Sequence, residues 1–438
     1  MNLKVSTIIN SLRSRKFHAI ASLGLVTLLA LCANDAAAKV VDLPSSANAS
    51  EPLLTMNGSG KYAITWRQQP PNGVFERVYV QSGSASRPFR SKPTSPGRAD
   101  RLIGPLETAT SSGVDGFAWL GGTDAGAKAA FIGPRTTRTR TVALLESSST
   151  IAVVTISKSG TILSRRAAHV EPSTAEFTQI GVAVDGLGNP TVHWIREPTG
   201  CAGDSLALTP ELDCIPGALY VSSATGAGPF TPPQLVAADC EQAQLVQAPT
   251  GAATLIAQCA NKPLLTYRAP GGLFAPPIEL ALNGAQAAGH VSIARRRGGG
   301  VLVAYEVLSS IDATVSRASI LVAKGPIGQP PAAPITARRS LRFDSSNNPS
   351  PTPQLITTKR GRTYLRWFQG RRTRLSFVKP TLRLGKPVVV PGFDRRALNT
   401  MDAEVAVTDG GKAIAVWNFI SVRTNPAVRA TTFRAPSK

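Results

Sequence analysis

The chain has 438 residues, with 48 Lys and Arg against 26 Asp and Glu, a formal charge of +22, and 38 Gly beside 34 Pro. With 42% hydrophobic residues it can bury a large core, which excludes wholesale disorder. Four His in the whole chain argue against a His-rich metal enzyme.

In chain order, residues 1–38 come first. Lys4, Arg13, Arg15 and Lys16 make a basic start, an apolar run follows from Ala19 to Ala33, and Ala36-Ala37-Ala38 offers small residues for cleavage. That order predicts a secretory signal peptide, because the run is shorter than the roughly 20 residues a membrane span needs. Two alternatives stay open: an uncleaved anchor, and lipid attachment at Cys32, where Leu31 stands at a position that a lipoprotein box gives to a small residue. The expected mature chain, 39–438, is exported, without a transmembrane segment, and monomeric. It keeps 44 basic and 25 acidic residues, a net of +19.

A phrase then recurs along the mature chain: an alternating apolar stretch, a Gly turn, a second alternating stretch, and an aromatic six residues after the Gly. It runs from Gly60 to Trp66, Gly188 to Trp194, Gly299 to Tyr305, Gly361 to Trp367 and Gly411 to Trp417, with Gly251 to Ala257 as a copy lacking the aromatic. One more copy has two registers, Gly113 to Trp119 or Gly126 to Ile132. Period-2 alternation around a Gly turn is a β-hairpin signal, and units near 50 residues with several strands each read as propeller blades. The predicted fold is all-β: a closed β-propeller of seven blades, each of about four antiparallel strands, with a solenoid as the runner-up. The tryptophans at the repeat position are expected to pack between blades rather than stack on sugars.

The ends bear on closure. A phrase such as Pro233-Gln-Leu-Val236 precedes several hairpins, Val40-Val-Asp-Leu-Pro44 precedes the first, and the last repeat lacks its own copy. The strand near 40–43 is therefore expected to pair with Arg429–Phe433 and close the single domain 39–438.

The Gly-turn-alternation-Trp phrase resembles the repeats of exported bacterial β-propellers, loosely the sialidase-like group. The resemblance implies architecture rather than activity. The sialidase Asp-box, Ser-x-Asp-x-Gly-x-Thr-Trp, is absent, since the aromatic here stands six residues after Gly rather than three.

Cys201, Cys214, Cys240 and Cys259 most simply make two disulfides in an exported chain. Of three connectivities, Cys201–Cys214 and Cys240–Cys259 are favoured, the second pair facing across the turn at Pro249-Thr250-Gly251. No zinc spacing, dinucleotide fingerprint, Walker loop or nucleophile motif is present, so no metal or cofactor is expected and catalytic residues stay unassigned. His169, His193 and His290 are read as structural.

The charge is local. Between Arg295 and Arg396 stand 20 basic residues and four acids, Glu306, Asp312, Asp344 and Asp394. Arginine predominates there, which suits bidentate contacts to phosphate, sulfate or carboxylate. The expected anion-binding residues are Arg338, Arg339, Arg360, Arg371, Arg372, Arg374, Arg395 and Arg396. Arg338, Arg339, Arg342, Arg371, Arg372, Arg395 and Arg396 are expected on one face and Arg295, Arg296, Arg297, Lys359, Arg360 and Arg362 on the other, making a basic sector rather than one pocket.

The expected function is a non-catalytic, exported binding or scaffolding module for an anionic cell-envelope polymer, polysaccharide or protein. Nucleic acid is disfavoured, because the aromatics that would stack on bases are placed in the core. The bland alternative is a solvated, arginine-biased surface. The catalytic alternative is a carbohydrate-active enzyme, a glycosidase or lyase, with acids at a channel mouth; Glu51, Glu76, Asp115, Glu197 and Asp204 are its undifferentiated candidates.

Overall fold

The computed structural model describes residues 40–437 with internal breaks, the longer ones at 69–76, 99–108, 133–139, 171–176, 198–216, 344–349 and 393–402. The signal peptide, Cys32, Cys201, Cys214, Arg395 and Arg396 lie outside the described residues. Among the described residues every regular element is a β-strand, and all strand pairings are antiparallel.

Six sheets have four strands. The first is built from Ala49–Met56, Lys61–Gln68, Arg77–Ser84 and Thr94–Arg98. The third holds Phe177–Val184, Pro190–Arg196, Ala218–Ser223 and Gln234–Ala238, and the fourth Cys240–Gln247, Ala253–Cys259, Lys262–Arg268 and Ile278–Glu279. The fifth takes Ala287–Arg295, Gly300–Ser310, Ser316–Pro326 and Ile335–Phe343, and the sixth Gln354–Thr357, Thr363–Gln369, Arg372–Phe377 and Val388–Val389. In the last sheet Glu404–Val407, Lys412–Ser421 and Thr424–Arg434 are joined by Val41–Asp42 from the other end of the chain.

The second sheet departs from this plan. It has five strands, centred on Arg140–Ser147, Thr150–Ile156 and Ile162–Val170, while Phe117–Thr123 and Gly126–Ile132 pair as a separate hairpin. Gly126 opens the second strand of that hairpin, as Gly60 and Gly188 do in theirs, whereas Trp119 stands in the first strand.

The glycines of the repeated phrase share one backbone conformation. Gly60, Gly188, Gly251, Gly299, Gly361 and Gly411 have φ between +79° and +90°, a region that costs L-residues a steric penalty and glycine none. The Gly188, Gly251, Gly361 and Gly411 amides donate to the carbonyls of Asp185, Ala248, Thr358 and Thr408, three residues back. This is a tight turn followed by a left-handed residue that restarts the strand with the correct twist. The aromatic six residues on then points into the core: Trp66, Trp194, Tyr305, Trp367 and Trp417 are at most 2% exposed.

Those aromatics sit in clusters shared by neighbouring sheets. Trp367 and Leu365 of the sixth sheet pack with Leu302 and Ile320 of the fifth, and Trp66 and Tyr62 of the first with Ile414 and Val428 of the last. The first strands of the third to last sheets touch in succession, and Ala49–Met56 touches the last sheet. At the chain ends Val41 pairs with Ala430 and Asp42 with Arg429, the Arg429 Nε donates to the Asp42 Oδ1 at 2.7 Å, and the Leu43 amide donates to the Val428 carbonyl. Cys240 and Cys259 face each other in the register of the fourth sheet and are disulfide-bonded.

Candidate functional site

Alternate turns of a four-stranded meander emerge at the same end of the sheet. In the fifth sheet the turn after Arg295 carries Arg296 and Arg297, and in the sixth the turns after Thr357 and Phe377 carry Arg360, Arg362 and Lys379. Packing of the two sheets brings these turns around one cavity of about 340 Å³, with no carboxylate among the described residues that line it. Leu302, Phe377 and Leu382 give it an apolar floor under a cationic rim.

Each wall is held by specific contacts. Gly361 passes so close to Arg297 that a Cβ there would come within 2.6 Å of the Arg297 Cβ. The Arg360 amide donates to Asp409 Oδ1 of the last sheet at 2.8 Å, and the Arg362 amide donates to Thr358 Oγ1. Burial pushes the Tyr364 phenol up, and the neighbouring Arg362 guanidinium acts against the shift. Arg297, Arg360 and Arg362 are themselves exposed, so their charge is available to solvent or ligand.

The arginines singled out by sequence divide differently. Arg360 lines the cavity. Arg338 lies half-buried with its guanidinium 5.0 Å above the Trp367 ring, and burial and then the neighbouring Arg374 lower its pKa. The Nε atoms of Arg338 and Arg374 are buried without a hydrogen-bond partner among the described residues. Arg371 and Arg372 stand at the opposite end of the sixth sheet, Arg371 in a left-handed turn position, and Arg339 is exposed on the outer strand of the fifth. The structure therefore gathers Arg360 with Arg296, Arg297, Arg362 and Lys379, not with the other described arginines of that set. Arg296, Arg297 and Arg362 were legible as turn residues on that end; Lys379 had no such signal.

A second cluster lies between the same two sheets. Glu306 is 0% exposed; its Oε2 accepts from Ser350 Oγ at 2.6 Å and lies 3.4 Å from His290 Nδ1, while Oε1 has no partner among the described residues. A β-bulge at Gly289-His290 stands opposite Glu306, and a Cβ on Gly289 would crowd the carboxylate. The bulge thus makes room for the acid and turns His290 toward it. His193, by contrast, is packed away: burial holds its pKa down to about 4, and Nε2 lies 3.2 Å from the Ala243 carbonyl. Glu197 is described, whereas Glu76, Asp115 and Asp204 lie outside the described residues. Among the described residues no three His, Cys, Asp or Glu gather into a metal-ligand cluster, and no helix is long and apolar enough to cross a membrane.

No family model matches the chain, and no curated protein matches it. In structure it is similar to a polysaccharide lyase, at 8% identity over 86% of this chain and 90% of that one, TM-score 0.47. It is also similar to an α-L-arabinofuranosidase from Fusarium graminearum, at 10% identity over 90% and 97%, TM-score 0.44. A protein of unknown function from Dyadobacter fermentans is similar at 9% identity over 91% and 98%, TM-score 0.42. Likeness of this order assigns neither family nor activity.

Proposed function

We propose that the chain is an exported, non-catalytic β-propeller of seven blades, closed by the strand near 40–43, that binds an anionic envelope polysaccharide through the basic sector 295–396. The observation that carries this reading is the cavity rimmed by Arg296, Arg297, Arg360, Arg362 and Lys379 with no lining carboxylate. Several cations around one concavity repel one another in the free protein and gain most from a polyanion that releases its counterions on binding. Arg339, Arg371 and Arg372 extend the positive field beyond the cavity, as do Arg395 and Arg396 by position in the sequence. Arg338 and Arg374 contribute less, being turned inward against Trp367.

The test is retention on immobilised anionic polysaccharide against neutral dextran at low ionic strength. Retention on the anionic matrix alone, released by salt, supports the reading; equal behaviour on the two removes it.

A second reading rests on Glu306. A carboxylate beside His290 and Ser350, with one oxygen unpartnered among the described residues, offers one of the two carboxyl groups that glycoside hydrolysis uses. This reading requires turnover of an oligosaccharide that Glu306→Gln abolishes while the fold is retained. Absence of turnover across uronate, sulfated and neutral oligosaccharides removes it.

A further inference from the structure

Resting on the polysaccharide reading, we infer that the cavity between the fifth and sixth sheets is a subsite for a sugar residue carrying a tetrahedral oxyanion ester, a sulfate or phosphate monoester, in preference to a uronate carboxylate. Three observations carry it.

The cations approach from two walls. Arg296 and Arg297 come from the fifth sheet, and Arg360, Arg362 and Lys379 from two turns of the sixth. A carboxylate has two oxygens in one plane and pairs edge-on with a single bidentate guanidinium. A sulfate or phosphate monoester presents three free oxygens around a tetrahedron and can be met from both walls at once. A phosphate monoester also carries up to two charges into a site that holds no acid.

The walls are set before any ligand arrives. Gly361 against Arg297 sets the closest approach of the two turns, and Asp409 holds the Arg360 amide. Turns held in this way carry their cations to the cavity with less backbone left to order on binding. Asp409 is an acid close to the rim, but its Oδ1 is engaged with the Arg360 backbone.

The floor is apolar. Leu302, Phe377 and Leu382 lie beneath the rim, and a volume of about 340 Å³ is more than an isolated oxyanion needs. It falls at the lower end of the roughly 300–1,000 Å³ of small-ligand pockets. A sugar ring can set its C–H face on this floor while its ester meets the rim. An anionic lipid surface is the competing occupant, and the concave shape disfavours it.

The experiment compares the purified protein's affinity for dextran sulfate and carboxymethyl dextran matched in charges per glucose, at one ionic strength, with neutral dextran and phosphatidylglycerol vesicles as further arms. Variants are Arg297→Gln with Arg360→Gln, and Arg90→Gln as an exposed arginine outside both the cavity and the basic sector. Circular dichroism confirms that each folds. The expected result is at least tenfold tighter binding to dextran sulfate, a tenfold or greater loss of that affinity in the double variant, and at most a twofold loss for carboxymethyl dextran or in Arg90→Gln. Equal affinities for the two polymers with equal losses overturn the ester preference and leave the polysaccharide reading standing. An unchanged double variant overturns the cavity as the subsite. Vesicle binding stronger than either polymer overturns the sugar ligand, and no binding in any arm overturns both this inference and the reading it rests on.

Discussion

Gly361 stands against Arg297, so that the turn of the sixth sheet touches the turn of the fifth at the one place where a side chain has no room. Gly411 supplies the comparison. It has almost the same φ, +79° against +80°, but open space where its Cβ would be. Gly411→Ala should therefore lose only the backbone penalty, about 1 kcal/mol, and keep polyanion affinity. Gly361→Ala should lose more, roughly 2–3 kcal/mol, and also displace Arg297, lowering affinity several-fold. Urea denaturation with binding measured on the same samples checks both; identical behaviour of the two variants contradicts the packing argument.

Acid should destabilise the fold through His193. Its pKa of about 4 in the folded chain lies below the roughly 6.5 of an unfolded histidine, so the unfolded chain binds the proton more readily. The resulting stability is full above pH 6.5, is lost as pH falls through this window, and is gone below 4. The amount is on the order of 3 kcal/mol. Urea midpoints at pH 7.5 and 4.5 should differ less in His193→Gln than in the native chain; the same difference in both contradicts the assignment.

The disulfide Cys240–Cys259 closes a loop of the fourth sheet across a sequence separation of 19. Replacing both cysteines with Ala should cost about 3 kcal/mol through the freer unfolded chain. Thermal melts should then give the variant a lower midpoint and a smaller fall on reduction than the native chain shows. Coincident melts would contradict this.

The repeat was legible because its chemistry is local. A left-handed position favours Gly, a strand shows its alternation, and the buried end of a hairpin needs a large side chain; the phrase from Gly361 to Trp367 displays all three in seven residues. Cys240 and Cys259 were legible for the same reason, lying at almost equal distances from one turn. The separate hairpin near Gly126 was not, because the phrase marks a hairpin and does not say which sheet receives it.

The site was legible only in part. The excess of arginine falls on the two sheets that enclose the cavity, and turn position marked the end at which Arg297 and Arg360 emerge. What linear sequence could not give is the packing of one sheet on the next. That packing adds Lys379 to the rim, turns Arg338 down onto Trp367, and sets Glu306 against Ser350.

The most direct test of the account is the salt dependence of binding to dextran sulfate. For the native protein, the logarithm of affinity should fall linearly with the logarithm of salt concentration. The slope should become shallower by about one for each of Arg297, Arg360 and Arg362 replaced by Gln, as for other cation–polyanion contacts. A slope unchanged in the triple variant, or affinity that does not respond to salt, would contradict a cationic cavity as the binding site.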